Sequence, residues 1–528
     1  MNLRDYTHRR RKRLESAIVK TADATPGAAS RQINIPDNVR GTTMSRSRKI
    51  TLLVLGSLIA LALAATAALF LLDLNALRPR IESAASHALG MELHINGRVG
   101  IGFPNLSLSL NDAQLRNRDA TVADVEEVRL DMDLIALFRN DIQVREVALN
   151  GATLFIERAA DGRLNIEQAK PQRGERRGVN LAKLTIRDAR LYYADVASGT
   201  DVEARGCDID GSALHIAPGT KPPLLKLSVN AKATCENLRA QNIEFADVKF
   251  AASVDNGVLK VDPITMKLFG GDGSADLHAD FSKPESALRL RYSLAGFRIE
   301  ESLRMVTQQE VAHGNMDFSL ELSARGTTWA QMKQAMSGRV ALRGKYITVK
   351  GGNLDEELSR FESSQRFNLV DVGAFFFAGP MGLALTKGFS FASILTAGKG
   401  VSHIRAIVSE WNIEHGMAKA TDAAISTNRY RIALQGELDL VNERFKDVTV
   451  ALVDDAGCPK VRQKISGPFR EPAIERPNVL TALAGPALNL LSGARNFVTR
   501  RQCTAFYTGS VPPPTQKQAE RGASDATK

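Results

Sequence analysis

Alternation of apolar and polar residues, recurring along most of 91–350, limits this chain more than any other feature. Leu106, Leu108 and Leu110 alternate with Ser107 and Ser109, and Val128, Leu130, Met132 and Leu134 alternate with Arg129, Asp131 and Asp133. The pattern returns at Met316, Phe318, Leu320 and Leu322 against Asp317, Ser319, Glu321 and Ser323, and again at Tyr430, Ile432 and Leu434. A period of two with one apolar face is the signature of a half-buried antiparallel strand. Turn pieces such as Asn150-Gly151, Asp161-Gly162, Asn256-Gly257 and Gly270–Gly273 punctuate the strands. The fold class that follows is mainly β with minor α. Helical pattern is confined to Leu74–Leu89 with Gly90 as its stop, Glu301–Ala312, Thr328–Met336, Leu354–Phe367, a broken apolar stretch at 369–395, and Val479–Thr499. So few helices cannot cover so many one-sided strands. The apolar faces therefore pack on each other as a sandwich or barrel, or stay open to something apolar.

A second feature is Ile50–Leu72, 23 residues without charge or proline. At about 1.5 Å per residue it is long enough to span a bilayer as a helix. It exceeds the usual signal-peptide core of roughly 7–15 residues, and helical pattern continues directly into Leu74–Leu89, so an uncleaved anchor is expected rather than a cleaved signal. Arg46, Arg48 and Lys49 precede it and Asp73 follows. The positive-inside rule then places the N-terminus in the cytoplasm and residues 73–528 outside. Residues 1–43 open with a basic run, His8 to Arg13, and read as disordered; Met44, six residues before the apolar run, is the expected start of translation.

The formal charge of +11 invites a nucleic-acid reading, but its distribution excludes one. Residues 1–49 carry 12 Lys and Arg against four acids, so the body is nearly neutral, and aromatics at 6% leave little for base stacking. Enzyme signatures are also missing: no CxxC, GxSxG or P-loop occurs, and the eight histidines are scattered. No catalytic residue, metal or cofactor is expected. The uncharged stretch 372–386, VGAFFFAGPMGLALT, is too short and too broken for a span and suits a buried helix pair, with a re-entrant, lipid-touching element as the alternative.

Four cysteines suit an oxidising compartment. Cys207 and Cys235 flank the turn Pro218–Pro223, and a symmetric hairpin pairs them, with Ile209 opposite Ala233 and Asp210 opposite Lys232. That register puts Ile209, Ala213, Leu225, Leu227, Val229 and Ala231 on one apolar face. It leaves Cys458 with Cys503, which needs tertiary proximity. The expected organisation is a basic segment 1–49, an anchor 50–72, a first strand region 73–167, a linker 168–178, a middle strand region 179–350, a C-terminal region with helices 351–509, and a tail 510–528.

Two stretches carry a family resemblance: LNALRPRIESAASHALGMELHINGRVGIGFPNLSLSLNDAQLRN (74–117) with VREVALNGATLFIERAADGRLNIE (144–167), and YRIALQGELDLVNERF (430–445) with KISGPFREP (464–472). In these the chain resembles the AsmA family of inner-membrane-anchored envelope proteins, which is similar to the TamB and YhdP bridge-like lipid-transfer proteins. The resemblance implies a long, twisted antiparallel β-sheet curved into a groove with an apolar concave face, and it ranks the open groove above the sandwich. It also implies a body in the bacterial periplasm, with phospholipid, the inner membrane and outer-membrane or periplasmic envelope proteins as partners. The groove residues expected on that basis are Leu106, Leu108, Leu110, Val128, Leu130, Met132, Leu134, Ile209, Leu227, Val229, Met316, Phe318, Leu320 and Leu322. The implied function is phospholipid transport between the two membranes in support of outer-membrane assembly. The alternative is a non-transporting assembly factor that binds protein partners. About 20 strands at ~4.8 Å would make a trough on the order of 100 Å long.

Overall fold

The computed structural model describes residues 55–57, 74–102, 107–118, 120–132, 144–166, 179–217, 223–305, 310–364, 400–475 and 503–514. The anchor run is described only at Leu55–Ser57, one helical turn. No helix among the described residues is long and apolar enough to cross a membrane. The linker 168–178, the stretch 372–386 and the helix expected at Val479–Thr499 lie outside the described residues.

From Leu74 onward the described residues form one open, curved sheet of 21 strands. Its first part comprises β1 (Glu92–Ile95), β2 (Val99–Gly102), β3 (Ser107–Asn117), β4 (Ala120–Met132), β5 (Val144–Arg158), β6 (Val179–Asp195), β7 (Thr200–Ile216), β8 (Leu227–Ala240), β9 (Ile243–Asp255), β10 (Val258–Leu268), β11 (Gly271–Asp280) and β12 (Ser286–Arg298). It continues through β13 (Ala312–His313), β14 (Asn315–Gly326), β15 (Ser337–Lys350), β16 (Val401–Glu414), β17 (Met417–Ser426), β18 (Arg431–Asp439), β19 (Arg444–Val453), β20 (Pro459–Pro468) and β21 (Ala473–Ile474). The α-helices of this unit among the described residues are α1 (Arg78–Leu89), α2 (Ile299–Leu303), α3 (Trp329–Gln334) and α4 (Leu354–Ser364).

Local chemistry accounts for the helix ends. Pro79 opens α1, and Gly90 closes it in the left-handed region with φ 68°, donating its N–H to the Ser86 carbonyl. The Thr328 hydroxyl accepts the Gln331 N–H and so caps α3. The helix expected at Glu301–Ala312 is a correction. Among the described residues of this stretch only Ile299–Leu303 is helical, and Ala312 and His313 pair with Val349 and Thr348 as β13, because the adjoining backbone of β15 offers a ladder partner there.

Almost every ladder is antiparallel, with one exception. β5 and β6 run parallel, with Leu149 opposite Ile186 and Leu154 opposite Leu191. A parallel neighbour needs a long crossover, and residues 159–178 between the two strands supply the length that a hairpin turn does not need. The sheet is bent by recurring mid-strand residues with positive φ: Asp112, Gly151, Asp188, Gly206, Asp247 and Gly296. Neighbouring carboxylates hold some of these bulges. Asp208 accepts the Asp188 N–H at 3.0 Å, and Asp317 accepts the Gly296 N–H at 2.8 Å. Gly151 suits its place because its φ of 62° is one that residues with a Cβ rarely adopt, and a Cβ there would also have to displace the Glu126 carboxylate.

Both cysteine pairs are disulfide-bonded, with Cα–Cα separations of 4.0 Å for Cys207–Cys235 and 6.0 Å for Cys458–Cys503. The register read from the sequence is the one observed: Cys207 opposite Cys235, Ile209 opposite Ala233, Asp210 opposite Lys232. It ends at Ser212. Ala213 is left-handed with φ 53°, and the bulge shifts the pairing beyond it so that Ile216, not His215, faces Leu227. Ser510–Pro514, expected to belong to the tail, are seated on the sheet instead: Val511 is fully buried and Ser510 donates its N–H to Asp422.

Candidate functional site

Residues directly opposite each other across a ladder project from the same face, so the ladders can be followed side chain by side chain. One row starts at Leu110 and passes through Val128, Leu149, Ile186, Ile209, Ala233 and Phe250. It continues through Ile264, Ala275, Tyr292, Leu320, Val340 and Trp411. The adjacent row on the same face runs from Leu108 through Leu130, Val147, Leu184, Gly211, Ala231 and Ala252. It reaches Val261, Leu277, Leu290, Leu322, Gly338, Ile413, Ala418 and Leu438. Neither row contains a charged side chain, and Tyr292 holds the only hydroxyl. The other face is polar, with Arg129 opposite Ser109 and an alternating ladder Asp276, Arg291, Glu321, Arg339.

Burial varies along this apolar floor. At the N-terminal end Leu108 and Leu110 are fully buried in a cluster with Ile81 of α1, Ile95 and Val99. At the C-terminal end Ile404, Ile425, Ile432 and Leu452 are fully buried in a cluster with Ile299 and Leu303 of α2 and Leu354 and Leu358 of α4. Between these ends most of the floor is half-exposed: Val147, Leu184, Ala231, Ala252, Val261, Leu277, Leu290 and Leu322 are all only partly buried, while Ile186, Gly211 and Ala233 among them are buried. The arrangement is an apolar floor closed by helices at its two ends and open between them.

The expected groove residues fall into three groups. Val128, Leu130, Ile209, Leu320 and Leu322 lie in the two rows, and Val229 pairs with Val254 beside them. Phe318 pairs with Leu294 and Leu342, and Leu227 with Ile216. Leu108, Leu110 and Met316 lie in the closed ends, Met316 packing with Phe297 and Ile347. Leu106, Leu134 and the side chain of Met132 lie outside the described residues. Several floor positions were not among those read from the sequence. Leu288, Leu290, Tyr292 and Leu294 carry a clear period of two that points to them, whereas Gly211, Ala231 and Ala252 have too little hydropathy contrast and emerge only from register.

The Cys207–Cys235 bridge lies on the apolar face, clustered with Ala189, Val248 and Ala152. Tyr292 is the chemical oddity of the floor. Its hydroxyl is buried without a hydrogen-bond partner, its ring lies 6.1 Å from that of Phe318, and burial pushes the phenol pKa up to about 12. Among the described residues no group of three or more His, Cys, Asp or Glu is placed to share a metal ion.

A family model described as the AsmA family matches residues 44–187 and 219–376. No curated protein matches the chain.

Proposed function

Because the chain belongs to the AsmA family, whose model matches more than half of it, we propose that it moves phospholipid acyl chains along the open apolar floor of its sheet. Two unbroken apolar rows, most of whose side chains between the helix-closed ends are only partly buried, carry this reading. An acyl chain in water costs about 0.8 kcal/mol per exposed CH₂, so a continuous apolar surface lowers the barrier to crossing an aqueous space. No single binding site is required, because every step along the floor offers the same kind of contact. The headgroup stays in water at the open side. The body is placed in the periplasm, held to the inner membrane by Ile50–Leu72, and it supports the assembly of the outer membrane. No catalytic step belongs to this reading.

Photocrosslinking tests it. Photoreactive residues at Val128, Leu130, Phe318 and Leu320 in cells should capture phospholipid, while the same groups at Asp131 and Ser319 should not. Absence of lipid adducts at all four floor positions, with the protein intact and at normal abundance, would return the sheet to the alternative of a protein-binding assembly factor.

A further inference from the structure

On the polar face, behind the apolar floor, lies a depression built unlike its surroundings. Its base is the row Phe155, Tyr192, Glu203 and Arg239, directly opposed across β5, β6, β7 and β8. The neighbouring row Leu154, Leu191, Ala204 and Leu238 faces the floor side, where Leu191, Ala204 and Leu238 pack around the Cys207–Cys235 bridge, so the Phe155 row points the other way. The remaining aromatic side chains of strands β3–β14, such as Tyr193, Phe250, Tyr292 and Phe318, sit in apolar rows. Phe155 and Tyr192 instead stack on the polar side, partly exposed, with ring centroids 5.5 Å apart and 9° between the planes. The chain after β5 turns back to form a wall. Asn165 donates its N–H to the Glu157 carbonyl at 2.9 Å and its side-chain amide to the Phe155 carbonyl at 2.8 Å, and its side-chain oxygen accepts the Glu157 N–H at 3.0 Å. The enclosed volume is about 480 Å³. Arg118, Arg163 and Arg239 line it against Glu157, Asp201 and Glu203, so its charges balance. Glu203, with a side chain 8% exposed, is held by Arg205 and by Arg239 at 2.9 Å.

We propose that this depression binds a neutral saccharide, one or two pyranose rings laid against the Phe155–Tyr192 pair. Balanced cations and anions give no net pull on a phosphate or a carboxylate. They do set hydrogen-bond donors beside acceptors, and vicinal hydroxyls, each both donor and acceptor, use that arrangement. The C–H face of a pyranose, slightly positive, suits the negative face of an aromatic ring. The volume is that of a small-ligand pocket, roughly 300–1,000 Å³. A peptide added as a strand is disfavoured, because it needs an open backbone edge. Here β6 and β7 are paired on both sides, and Leu164 and Asn165 occupy the edge of β5 from Phe155 to Arg158. The site lies on the opposite face of the sheet from the lipid floor, so it is independent of the proposed transport and both faces can be occupied together.

The test is saturation-transfer NMR on the full chain in a detergent without a sugar headgroup, with cellobiose and N,N′-diacetylchitobiose as probes. Saturation should pass from the protein to at least one disaccharide and be strongest at its ring C–H protons. Phe155→Leu keeps the apolar volume and removes the ring, and it should weaken binding roughly tenfold. Asp201→Asn, at an exposed position, should also weaken binding and leave the melting temperature unchanged, so a folding defect in the first variant does not decide the matter. Absence of transfer to both disaccharides overturns the proposal. Binding that neither substitution weakens overturns it as well, since the sugar then sits elsewhere. Displacement of the disaccharide by inorganic phosphate at constant ionic strength would make the depression an anion site, and transfer to the peptide Ala-Leu-Ala with none to the sugars would make it a peptide site. Lipid capture at Leu320 reports separately on the floor.

Discussion

At the scale of single residues, two buried polar groups make testable statements. The Tyr292 hydroxyl is desolvated without a partner, so it costs folding free energy that a phenylalanine would not. Tyr292→Phe should be neutral to about 1 kcal/mol stabilising in urea melts. The folded state holds the phenol proton to about 12, against 10.0 for the ordinary group. The native state therefore binds more protons across that interval, stability falls as pH rises from about 10 to 12, and Tyr292→Phe should flatten the fall. Asp355, at the start of α4, is the second case. Burial raises its pKa, although it accepts a hydrogen bond from the Thr427 hydroxyl and lies near Arg429 and His403. A carboxyl with a raised folded pKa favours folding below its unfolded pKa and penalises it as pH climbs through the folded one. Asp355→Asn, which keeps the acceptor for Thr427, should raise the melting temperature at neutral pH, and the advantage should vanish in acid.

Among the elements, the segment 503–514 has the largest effect for its length. It lies on the opposite side of β16–β19 from the helices, where Phe506, Tyr507 and Val511 pack with Val408, Ala424, Ala433, Ala451 and Val453. Arg431, 5% exposed, holds it by donating to the Val511 carbonyl at 3.1 Å and to the Asp454 carbonyl at 2.6 Å, with the Tyr507 ring beneath the guanidinium. Tyr507 donates its hydroxyl to Asp422 at 2.6 Å. These strands are consequently apolar on both faces, which ordinary antiparallel sheet is not. The Cys458–Cys503 bridge closes 45 residues, worth about 2–4 kcal/mol in the chain-entropy model. Replacing both cysteines by serine should lower the urea midpoint accordingly and open a protease site between 503 and 514. The other bridge acts on register. β7 contains two left-handed positions, Gly206 and Ala213, and a one-residue slip would turn Ile209 and Ala231 to the polar side; Cys207–Cys235 forbids that slip.

For the whole molecule, an open floor and a closed core respond differently to charge. Leu320 is half-buried in the open stretch, whereas Leu452 is fully buried in the closed C-terminal cluster. A carboxylate at Leu320 stays hydrated at modest cost, while one at Leu452 is desolvated without a partner and costs several kcal/mol. Leu320→Asp should leave the melting temperature within a few degrees of wild type and remove lipid capture. Leu452→Asp should unfold or be degraded, as judged by circular dichroism and cellular abundance. Equal unfolding by both would mean that the floor is as tightly packed as the ends.

Most of the fold is local, and local patterns were legible. Period-two alternation marks β3, β4 and β14, Gly90 marks the end of α1, and symmetry about Pro218–Pro223 sets the register of β7 and β8 as far as Ser212. Each is decided by residues within a few positions, or by one turn. What the sequence did not reveal depends on partners distant along the chain. The parallel step from β5 to β6, the conversion of Ala312 and His313 from expected helix to strand, and the seat of Val511 on β16–β19 each answer to an edge or a surface that exists only once other strands have paired. The same holds for the site. Hydropathy can say that Leu130 or Leu320 faces an apolar side, but whether Gly211, Ala231 and Ala252 continue that side, and where helices close it, is set by register across many ladders. Only the assembled sheet decides that, because a row that passes from Leu108 on β3 to Leu438 on β18 is a sum of pairings no one of which is visible in any short stretch of sequence.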